Sequence, residues 1–532
     1  MANELAKLFG VPEMVHEASS DVSAYFPTYD NTVVSTQNGD KFYKSFGPTK
    51  EIWKDYWALR RRSVQLFEEN LYARGLIRRL ITNIVNTGLT LEATPEHLIL
   101  GIPEERLQDW SEETETRFGL WARNAHMVDV SEALNFGQMQ EQAEMESLLA
   151  GDVLVVSQMD RKTNVPKYKL INGGAVQTPL ASQRNKTKNQ IIHGVEIDKK
   201  KRHVAYWILK GDGSYDRLPA WGERSGRRLA WLYYASDKRS GETRGTPLLA
   251  LILQSLKDVD RYRDATTRKA VINSILALFM KKTEDKPASL AFQNGASRRG
   301  QVEVEAPNPP TDTSRYQFQE HLTPGLVLNE LQHGEEPMAF GNGGIDEKFG
   351  EFESAMLSGI AWANEIPPEI LTLAFSSNYS ASQAALNEFK MLLNKKRVNG
   401  MGANFCQPIY EEWLVSEVLN GKIQAPGLLE AWRNQGRKYD ILSAWLVADW
   451  AGAIKPSADP LKTTKAYELM FQRGFITAAR ATRELTGMKF SRVMKQQKRE
   501  RKLMIEAGLT VQTDVQELSE EDMKDIDEAV NG

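Results

Sequence analysis

The chain has 532 residues, of which 41% are hydrophobic and 26% charged, a composition typical of a globular protein with a sizeable core. Its 67 lysines and arginines against 70 aspartates and glutamates give a net charge of −3. This excludes non-specific coating of nucleic acid by the whole chain, but not DNA contact through a local patch. The single cysteine, Cys406, excludes an intrachain disulfide and a metal site built from several cysteines.

The first 150 residues are expected to form an irregular arm followed by helices. Residues 1–50 are rich in turn-forming residues. From residue 51 onward, apolar residues recur at three- and four-residue spacing, which predicts a helix near 51–67 and a second helix that ends near Gly88. The stretch Pro103–Leu149 is also typical of helix, with an acidic polar side.

Runs of β-branched and apolar residues follow these helices. Glycine and asparagine residues separate the runs, as they do between consecutive antiparallel strands. The runs are Asp152–Met159, Tyr168–Ile171, His193–Ile197 and Val204–Leu209. We therefore expect a β-meander in this part of the chain.

The longest helical pattern extends from Pro247 to about Lys282 and predicts a helix about 50 Å long. Its apolar stripe is narrow, and such a helix usually packs against neighbouring elements. The stripe consists of Leu249, Ile252, Leu256 and Val259. Asp258, Asp260 and Asp264 alternate with cations on this helix, which favours surface ion pairs over a metal site.

The second half of the chain is expected to be mainly helical around one long insertion. Residues 283–324 are polar and rich in proline, and a short strand, Gly325–Leu331, is expected after them. The patterns predict helices at about 346–364, 383–419 and, mainly, 428–508. An acidic tail follows. The longest apolar run, Val271–Met280, is far shorter than the ~20 residues of a membrane helix, so we expect no membrane segment.

Sequence motifs of common enzymes are absent. The chain contains no G-x-x-x-x-G-K-[ST], H-E-x-x-H or G-x-S-x-G motif. The glycine-rich stretches at 211–217 and 341–344 favour surface turns over phosphate-binding loops. His193 and His203 lie in strand patterns, where a structural role is expected. We therefore expect no catalytic residue, no metal site and no cofactor.

Five stretches, in order, resemble the lambda-type family of tailed-phage portal proteins. They are the helix pair at 60–91, the strand pair IIHGVEIDKKKRHVAYWIL at 191–209, the turn and helix SGETRGTPLLALILQSLKDVDRY at 240–262, the segment IPPEILTLAFSSNYSASQAALNEF at 366–389, and the helices at 459–487. Their order makes the resemblance specific, and it spans roughly residues 60–508. Asn86 stands where the family usually has Gly, and Ala381 and Gln383 replace its usual Ser and Arg.

The resemblance implies a structural protein, not an enzyme. Members of this family form a ring, usually a dodecamer, at one capsid vertex, and double-stranded DNA enters and leaves through its channel. The implied partners are other copies of the chain, this DNA, the terminase large subunit, head-completion or adaptor proteins, and the major capsid and scaffold proteins. The implied location is the virion, after assembly in the host cytoplasm.

The implied fold is the portal fold, α+β and mainly α. In this family the ATPase is the terminase, a partner of the portal protein, which agrees with the absence of a nucleotide-binding motif from this chain. Along this chain the parts would be an N-terminal arm (1–50), a wing of helices and β-meander (51–246), a first stem helix (247–280), a clip (281–345), a second stem helix (346–366), a tunnel loop (367–382), a long wing helix (383–425), a crown (426–510) and an acidic tail (511–532).

The resemblance also suggests which residues meet DNA and neighbouring subunits. A channel through which DNA slides should lack a full basic ring, because each neutralised phosphate strengthens the grip on DNA. Five small or uncharged residues of the tunnel loop suit such a channel, although a surface turn is the alternative: Ser376, Ser377, Asn378, Tyr379 and Ser380. Lys281 and Lys282, near the junction of stem and clip, are either DNA contacts or a solvated helix end. The stripe on the long helix is expected to pack between subunits.

Two other classes of function stay open. A nuclease or packaging ATPase would require a nucleotide-binding loop or convergent carboxylates. A different virion ring protein, such as a head–tail adaptor, is usually much shorter and lacks a long helix beside an inserted clip.

Overall fold

The computed structural model describes residues 56–179, 189–235, 238, 242–274, 278–282, 335–339, 349–374, 379–434, 437–453 and 460–507. The expected arm at 1–50, the expected strand Gly325–Leu331 and the acidic tail lie outside these residues. Most of the proline-rich insertion lies outside them as well.

Most described helices lie where the sequence predicts helix, although the helix predicted at 383–419 is divided by a π-helical segment. They are α1 (Tyr56–Glu69), α2 (Leu71–Ile84), α3 (His97–Leu100), α4 (Glu104–Arg123), α5 (Ala125–Val128), α6 (Phe136–Ala150), α7 (Leu249–Ser274), α8 (Phe349–Ala363), α9 (Pro368–Thr372), α10 (Tyr379–Lys395), α11 (Gln407–Leu419), α12 (Leu428–Arg433), α13 (Tyr439–Leu446), α14 (Pro460–Gln472), α15 (Ala478–Thr486) and α16 (Phe490–Glu506). A π-helical segment, Lys396–Cys406, joins α10 to α11. The fold is α+β and mainly α, as predicted.

The strands form small antiparallel sheets. They are β1 (Thr90–Ala93), β2 (Val153–Met159), β3 (Pro166–Asn172), β4 (Gln190–Ile192), β5 (Val195–Ile197), β6 (His203–Leu209), β7 (Tyr215–Pro219), β8 (Ala230–Tyr233), β9 (Leu278–Lys282), β10 (Glu335–Ala339) and β11 (Ala448–Ala451). The sheet orders are β4-β5-β6-β7, β3-β2-β8, β1-β11 and β10-β9.

The chain divides into two compact units. The first unit consists of Met1–Asn83, Gln142–Ser157 and Lys169–Lys396, and the second of Ile84–Glu141, Gln158–Tyr168 and Arg397–Gly532. Each unit is therefore assembled from segments that are far apart in the sequence.

In the first unit, the long helix α7 packs against α1 and α8. The four residues of its apolar stripe, Leu249, Ile252, Leu256 and Val259, are at most 4% exposed. The Asn70 side chain donates a hydrogen bond to the Leu256 carbonyl at 3.3 Å, and the Tyr262 ring stacks on Phe349 at 5.7 Å between centroids. Because the stripe is covered within one chain, its burial gives no evidence of contact with a neighbouring subunit.

Helix α7 is shorter than predicted. It ends at Ser274, and Leu278–Lys282, which the sequence placed at the helix end, form strand β9 paired with β10. Asparagine and serine, the residue types at 273 and 274, are poor helix formers, which favours a helix end here. The apolar run after them favours a strand.

The predicted β-meander is correct only in part. Its last two runs form β5 and β6 of a four-stranded meander, whereas Asp152–Met159 and Tyr168–Ile171 form β2 and β3 of a separate sheet. Strands β4 to β7 pair in sequence order, and their apolar side chains form a core with residues of β2 and β8. The glycine-rich stretch at 211–217 forms the turn between β6 and β7 and the start of β7, with Gly213 at a φ of 79°. It is a surface turn, as predicted.

The second unit is organised around an aromatic core. Phe118 on α4 lies 5.0 Å from Trp413 and 5.5 Å from Phe136, measured between ring centroids. Strands β1 and β11, which are 361 residues apart at Thr90 and Ala451, pair at its edge. The stretch Pro103–Leu149 is helical as predicted, apart from the loop before α6.

The turn after α2 accounts for one departure from the family pattern. Asn86 has a φ of 54°, in the left-handed region that glycine adopts most readily. Asparagine is the side chain that tolerates this conformation best after glycine. The replacement of the usual Gly by Asn therefore preserves the turn.

One polar group in the aromatic core has no partner among the described residues. The Tyr410 hydroxyl is buried and makes no hydrogen bond, and burial raises its pKa. Leaving such a group unpaired costs about 1–3 kcal/mol. We therefore expect Tyr410→Phe to raise the free energy of unfolding by about 1 kcal/mol or more, measured by urea denaturation.

Tyr168 provides the matched control for this prediction. Its hydroxyl donates to a Glu412 carboxylate oxygen at 3.0 Å, so Tyr168→Phe should destabilise the unit by about 1 kcal/mol. A loss of stability in both variants would show that the Tyr410 hydroxyl is satisfied after all.

Candidate functional site

The carboxylates on α7 form ion pairs, as the sequence pattern predicted. Arg263 lies 2.6 Å from Asp260, and Arg261 lies 3.9 Å from Asp258. Within the described ranges, no group of three or more histidine, cysteine, aspartate or glutamate side chains is arranged to hold a metal ion. No helix in the same ranges is both long and apolar enough to cross a bilayer.

The predicted tunnel-loop residues fall into two groups. Ser376, Ser377 and Asn378 lie outside the described residues. Tyr379 and Ser380 are the first residues of α10, so their assignment to a loop is wrong. The alanine, glutamine and leucine residues that follow Tyr379 and Ser380 favour helix, and the helix begins earlier than predicted.

Lys281 and Lys282 lie on strand β9 and not at a helix end. In the register of the β9–β10 pair, Lys281 is opposite Glu336 and Lys282 is opposite Glu335. Their place on a strand corrects the expected helix end, and their contact with DNA stays a prediction.

A buried ion pair lies just before helix α7. The guanidinium of Arg244 forms a two-pronged contact with Asp152, in which Nε is 2.7 Å from Oδ2 and Nη2 is 2.7 Å from Oδ1. The two side chains are 2% and 0% exposed. Such forked pairs have both strength and a fixed geometry. Arg244 belongs to the stretch at 240–262 that carries part of the family resemblance.

Helix α1 contributes a tyrosine and a second arginine. The Tyr56 hydroxyl donates to Asp152 Oδ1 at 3.0 Å and accepts a hydrogen bond from Arg244 Nη2 at 2.5 Å. Arg60 donates to the Ala150 carbonyl at 2.7 Å and lies 3.5 Å from Asp152 Oδ1. We call Tyr56, Arg60, Asp152 and Arg244 the Arg244 cluster.

Backbone carbonyls accept the other hydrogen bonds of Arg244. Nη1 donates to the carbonyls of Val176 at 3.0 Å and His193 at 2.7 Å, and Nη2 to that of Gly173 at 2.7 Å. The His193 ring packs 5.5 Å from that of Tyr56. His193 therefore has a structural role, as predicted, although it lies in the turn between β4 and β5 and not in a strand.

The electrostatics keep the cluster charged. Burial has the largest influence on the pKa of Asp152 and raises it, but the charge and hydrogen bonds of Arg244 and Arg60 outweigh burial and bring this pKa below its usual value. Burial likewise lowers the pKa of Arg244, and Asp152 more than compensates, so the net pKa is raised. The Arg244 cluster is thus a buried ion pair in which the guanidinium N–H groups of Arg244 all donate hydrogen bonds. This arrangement suits a structural role and not catalysis.

Two glycines let the backbone close around the cluster. A Cβ at Gly245 would lie less than 3.0 Å from the Gly151 carbonyl oxygen, and a Cβ at Gly151 would meet Gly245 in the same way. The Gly245 N–H donates to Asp152 Oδ2 at 3.0 Å. The sequence Arg-Gly before α7 is therefore required by both the ion pair and the close approach.

His203 also has a structural role. Its Nδ1 lies 3.1 Å from the Tyr206 hydroxyl. Burial, together with the nearby cations Lys238, Arg228 and Arg244, lowers the pKa of His203 to about 4. The imidazole is therefore neutral near pH 7 and unsuited to act as a proton shuttle there.

Sequence reasoning missed a basic surface on α16. Five cations recur at helical spacing on one side of this helix, and all five are exposed: Arg492, Lys495, Lys498, Arg499 and Lys502. We call them the basic face. Counting charge by segment would have found it, because residues 489–502 contain seven cations and one acid.

The sequence is similar to those of phage portal proteins. It matches the family described as "Phage portal protein, lambda family" over residues 35–397. It is 20% identical to "Portal protein B" of Escherichia phage lambda over 473 residues and 21% identical to the "Portal protein" of Escherichia phage N15 over 472 residues. In both comparisons the match covers 84% of each chain.

Solved structures similar to this chain come from related assemblies. One is the "Neck of empty GTA particle computed with C6 symmetry", with 13% identity, a TM-score of 0.39 and coverage of 82% of this chain and 93% of the other. Another is an HK97-family phage portal protein from Corynebacterium diphtheriae, with 11% identity, a TM-score of 0.31 and coverage of 64% and 90%.

The family match covers more than half of the chain and defines its class. The protein is a phage portal protein, with the structural role of that class. Within the class, the chain belongs to the lambda family. It is accordingly a component of the phage virion, and its family is a family of structural proteins and not of enzymes.

Proposed function

We propose that copies of this chain form a closed ring, a dodecamer, at one vertex of a tailed-phage capsid, with a channel through which double-stranded DNA is packaged and ejected. The observation that carries the proposal is the match to the lambda portal family over residues 35–397. The ring acts without catalysis. It docks the terminase large subunit during packaging and head-completion or adaptor proteins afterwards.

The arrangement of the first unit supports a stem with an inserted clip. Helices α7 and α8 pack together, and Tyr262 of α7 contacts both Phe349 and Phe352 of α8. Between these helices in the sequence, the paired strands β9 and β10 flank residues 283–334. We assign α7 and α8 to the stem, the insertion to the clip, the preceding part to the wing and residues 426–510 to the crown.

The Arg244 cluster supports this assignment on physical grounds. A helix that lines a DNA channel must keep a fixed orientation. The contacts at its first turn set that orientation. The cluster joins α1, the start of β2 and the turn before α7 through buried, charged hydrogen bonds. Its role in the ring is to fix the base of the stem.

Contacts of the stem with neighbouring subunits pass through exposed apolar residues. The stripe of Leu249, Ile252, Leu256 and Val259 is already covered within the chain, so it stabilises the stem from inside. Trp362 of α8 is 85% exposed and Leu251 of α7 is 63% exposed. Because both lie on the helices assigned to the stem, we assign these two residues to the subunit interface.

DNA passes the segment between α9 and α10. Ser376, Ser377 and Asn378 provide small, uncharged groups, and Tyr379 and Ser380 at the start of α10 follow them. Lys281 and Lys282, on strand β9, are assigned to the stem–clip junction as candidate DNA contacts. The ring assembles in the host cytoplasm with scaffold and major capsid proteins.

Electron microscopy of the purified chain, with its mass in solution, tests the proposal. We expect closed rings with a central hole wide enough for duplex DNA. The chain should show no Mg-dependent ATPase or DNA cleavage above buffer, which separates it from the nuclease and ATPase alternatives. A chain that stays monomeric even with its scaffold and coat proteins would refute the ring.

A matched pair of variants tests the interface within the same experiment. Trp362→Ser should reduce the yield of rings, because it removes an exposed apolar anchor from α8. Leu120→Ser on α4, where the side chain is 69% exposed, should leave assembly unchanged. Equal ring yields from both variants would remove Trp362 from the interface.

A further inference from the structure

The basic face of α16 has an unusual local charge for a chain with a net charge of −3. Its members lie three or four residues apart, which places them on one side of the helix over about 15 Å. Lys495 forms an ion pair with Glu112 of α4. Within the described part of the chain, Arg492, Lys498, Arg499 and Lys502 form no hydrogen bond or ion pair. The face is therefore open to an anionic partner.

The sequence directly after α16 has the opposite charge. Residues 514–528, which we call the acidic segment, contain eight acids and one lysine, a net charge of −7. Residues 489–502 have seven cations and one acid, a net charge of +6. The two segments nearly neutralise each other.

The linker between them is short enough for the two segments to meet. Residues 508–513 span at most about 20 Å when extended, against the ~15 Å length of the basic face. A short tether gives a local concentration in the millimolar range, so weak individual ion pairs add up. A separate anion must compete with the tethered acidic segment for the basic face.

We propose that the acidic segment docks on the basic face of its own chain and keeps that face from binding DNA. Five cations with helical spacing would otherwise attract the phosphates of duplex DNA, and each contact would add to the grip. For a ring through which DNA slides, such a grip is a disadvantage. This consequence rests on the proposed function, whereas the docking itself does not.

Zero-length cross-linking of the unmodified chain tests the docking directly. A carbodiimide activates a carboxyl group, and a lysine amine then attacks it to form an amide, while the reagent leaves as a urea. We expect cross-links from Lys498 or Lys502 to residues 514–528, measured by mass spectrometry and lost at high salt. A mixture of isotope-labelled and unlabelled chains identifies the chain of origin. No cross-link to this segment, or cross-links only between differently labelled chains, would overturn the proposal.

Duplex DNA binding provides the second test. We expect Glu520→Gln, Glu521→Gln and Asp522→Asn together to tighten binding at least about tenfold at low salt. Adding Lys498→Gln, Arg499→Gln and Lys502→Gln should abolish this gain. The matched control replaces three exposed acids of α4 (Glu104→Gln, Glu105→Gln and Asp109→Asn) and should change nothing.

Two results of this binding experiment would contradict the proposal. One is unchanged affinity after neutralisation of the acidic segment. The other is an equal gain in the α4 control, which would reflect net charge alone. Failure of the ring would appear in electron microscopy and leave both tests interpretable, so the docking and the proposed function are judged separately.

Discussion

Replacing Arg244 by alanine is expected to lower the free energy of unfolding of the first unit by about 3–5 kcal/mol. The substitution leaves Asp152, which is 0% exposed, as a buried charge without its main partner. It also removes the donor from the carbonyls of Gly173, Val176 and His193. Urea denaturation, followed by hydrogen exchange at the amides of β2, measures the loss where it occurs.

Arg202 provides a matched control in the same unit. It forms a 2.8 Å ion pair with Asp198, but its side chain is 73% exposed. Because exposed pairs contribute about 0–1 kcal/mol, Arg202→Ala should cost little. Equal losses from both variants would show that burial of the Arg244 cluster adds nothing to its strength.

Arg244→Lys separates charge from geometry. Lysine keeps the positive charge but has a single nitrogen, so it cannot bind both oxygens of Asp152 and three carbonyls together. We expect it to recover only part of the lost stability. Full recovery would mean that the forked contact is unimportant.

Local patterns in the sequence predicted the elements whose cause is local. The apolar stripe on α7 and the alternation in the meander have fixed periods, and both elements are present. The predicted end of α7 and the predicted start of α10 were wrong by several residues. At these ends, weak preferences of Asn273, Ser274 and the residues after Tyr379 decide the outcome.

Contacts between distant residues could not be predicted in this way. Asp152 and Arg244 are 92 residues apart, and nothing in their spacing indicates that they pair. Strands β1 and β11 are farther apart still and were not predicted as strands at all. The family resemblance singled out the stretch that contains Arg244, but it gave no physical reason for the arginine.

The basic face was missed for a different reason. Whole-chain charge averages the cations at 489–502 with the acids at 514–528, and the result is close to zero. A segment count would have found both. Only the structure could show that the basic face is exposed, because neighbouring elements can equally cover a charged helix.

The second large effect is expected to depend on pH and to centre on Glu144 of α6. This carboxyl group is 1% exposed and accepts a hydrogen bond from the Tyr233 hydroxyl of β8. Burial raises its pKa from 4.5 to about 7. In the folded unit the group therefore keeps its proton where the unfolded chain has already lost it.

The direction of the pH effect follows from this difference. A group with a raised folded pKa contributes its full stability below the unfolded pKa and loses it as pH rises through the folded value. The contribution of Glu144 to stability should therefore fall between pH 4.5 and about 7 and stay constant above that window. At about 1.4 kcal/mol per pKa unit, the loss attributable to Glu144 is roughly 3 kcal/mol.

Glu144→Gln should remove this loss, because the amide cannot ionise and its oxygen can still accept the Tyr233 hydrogen bond. We expect the variant to exceed the original chain in unfolding free energy by roughly 2–3 kcal/mol near pH 8, and to match it near pH 4.5. Glu141→Gln, at an exposed position of the same helix, should have no effect at either pH. A gain of equal size at both pH values would point to packing in place of ionisation. No gain near pH 8 would mean that the folded unit accommodates the charged carboxylate after all, through Tyr233 and the nearby Lys396.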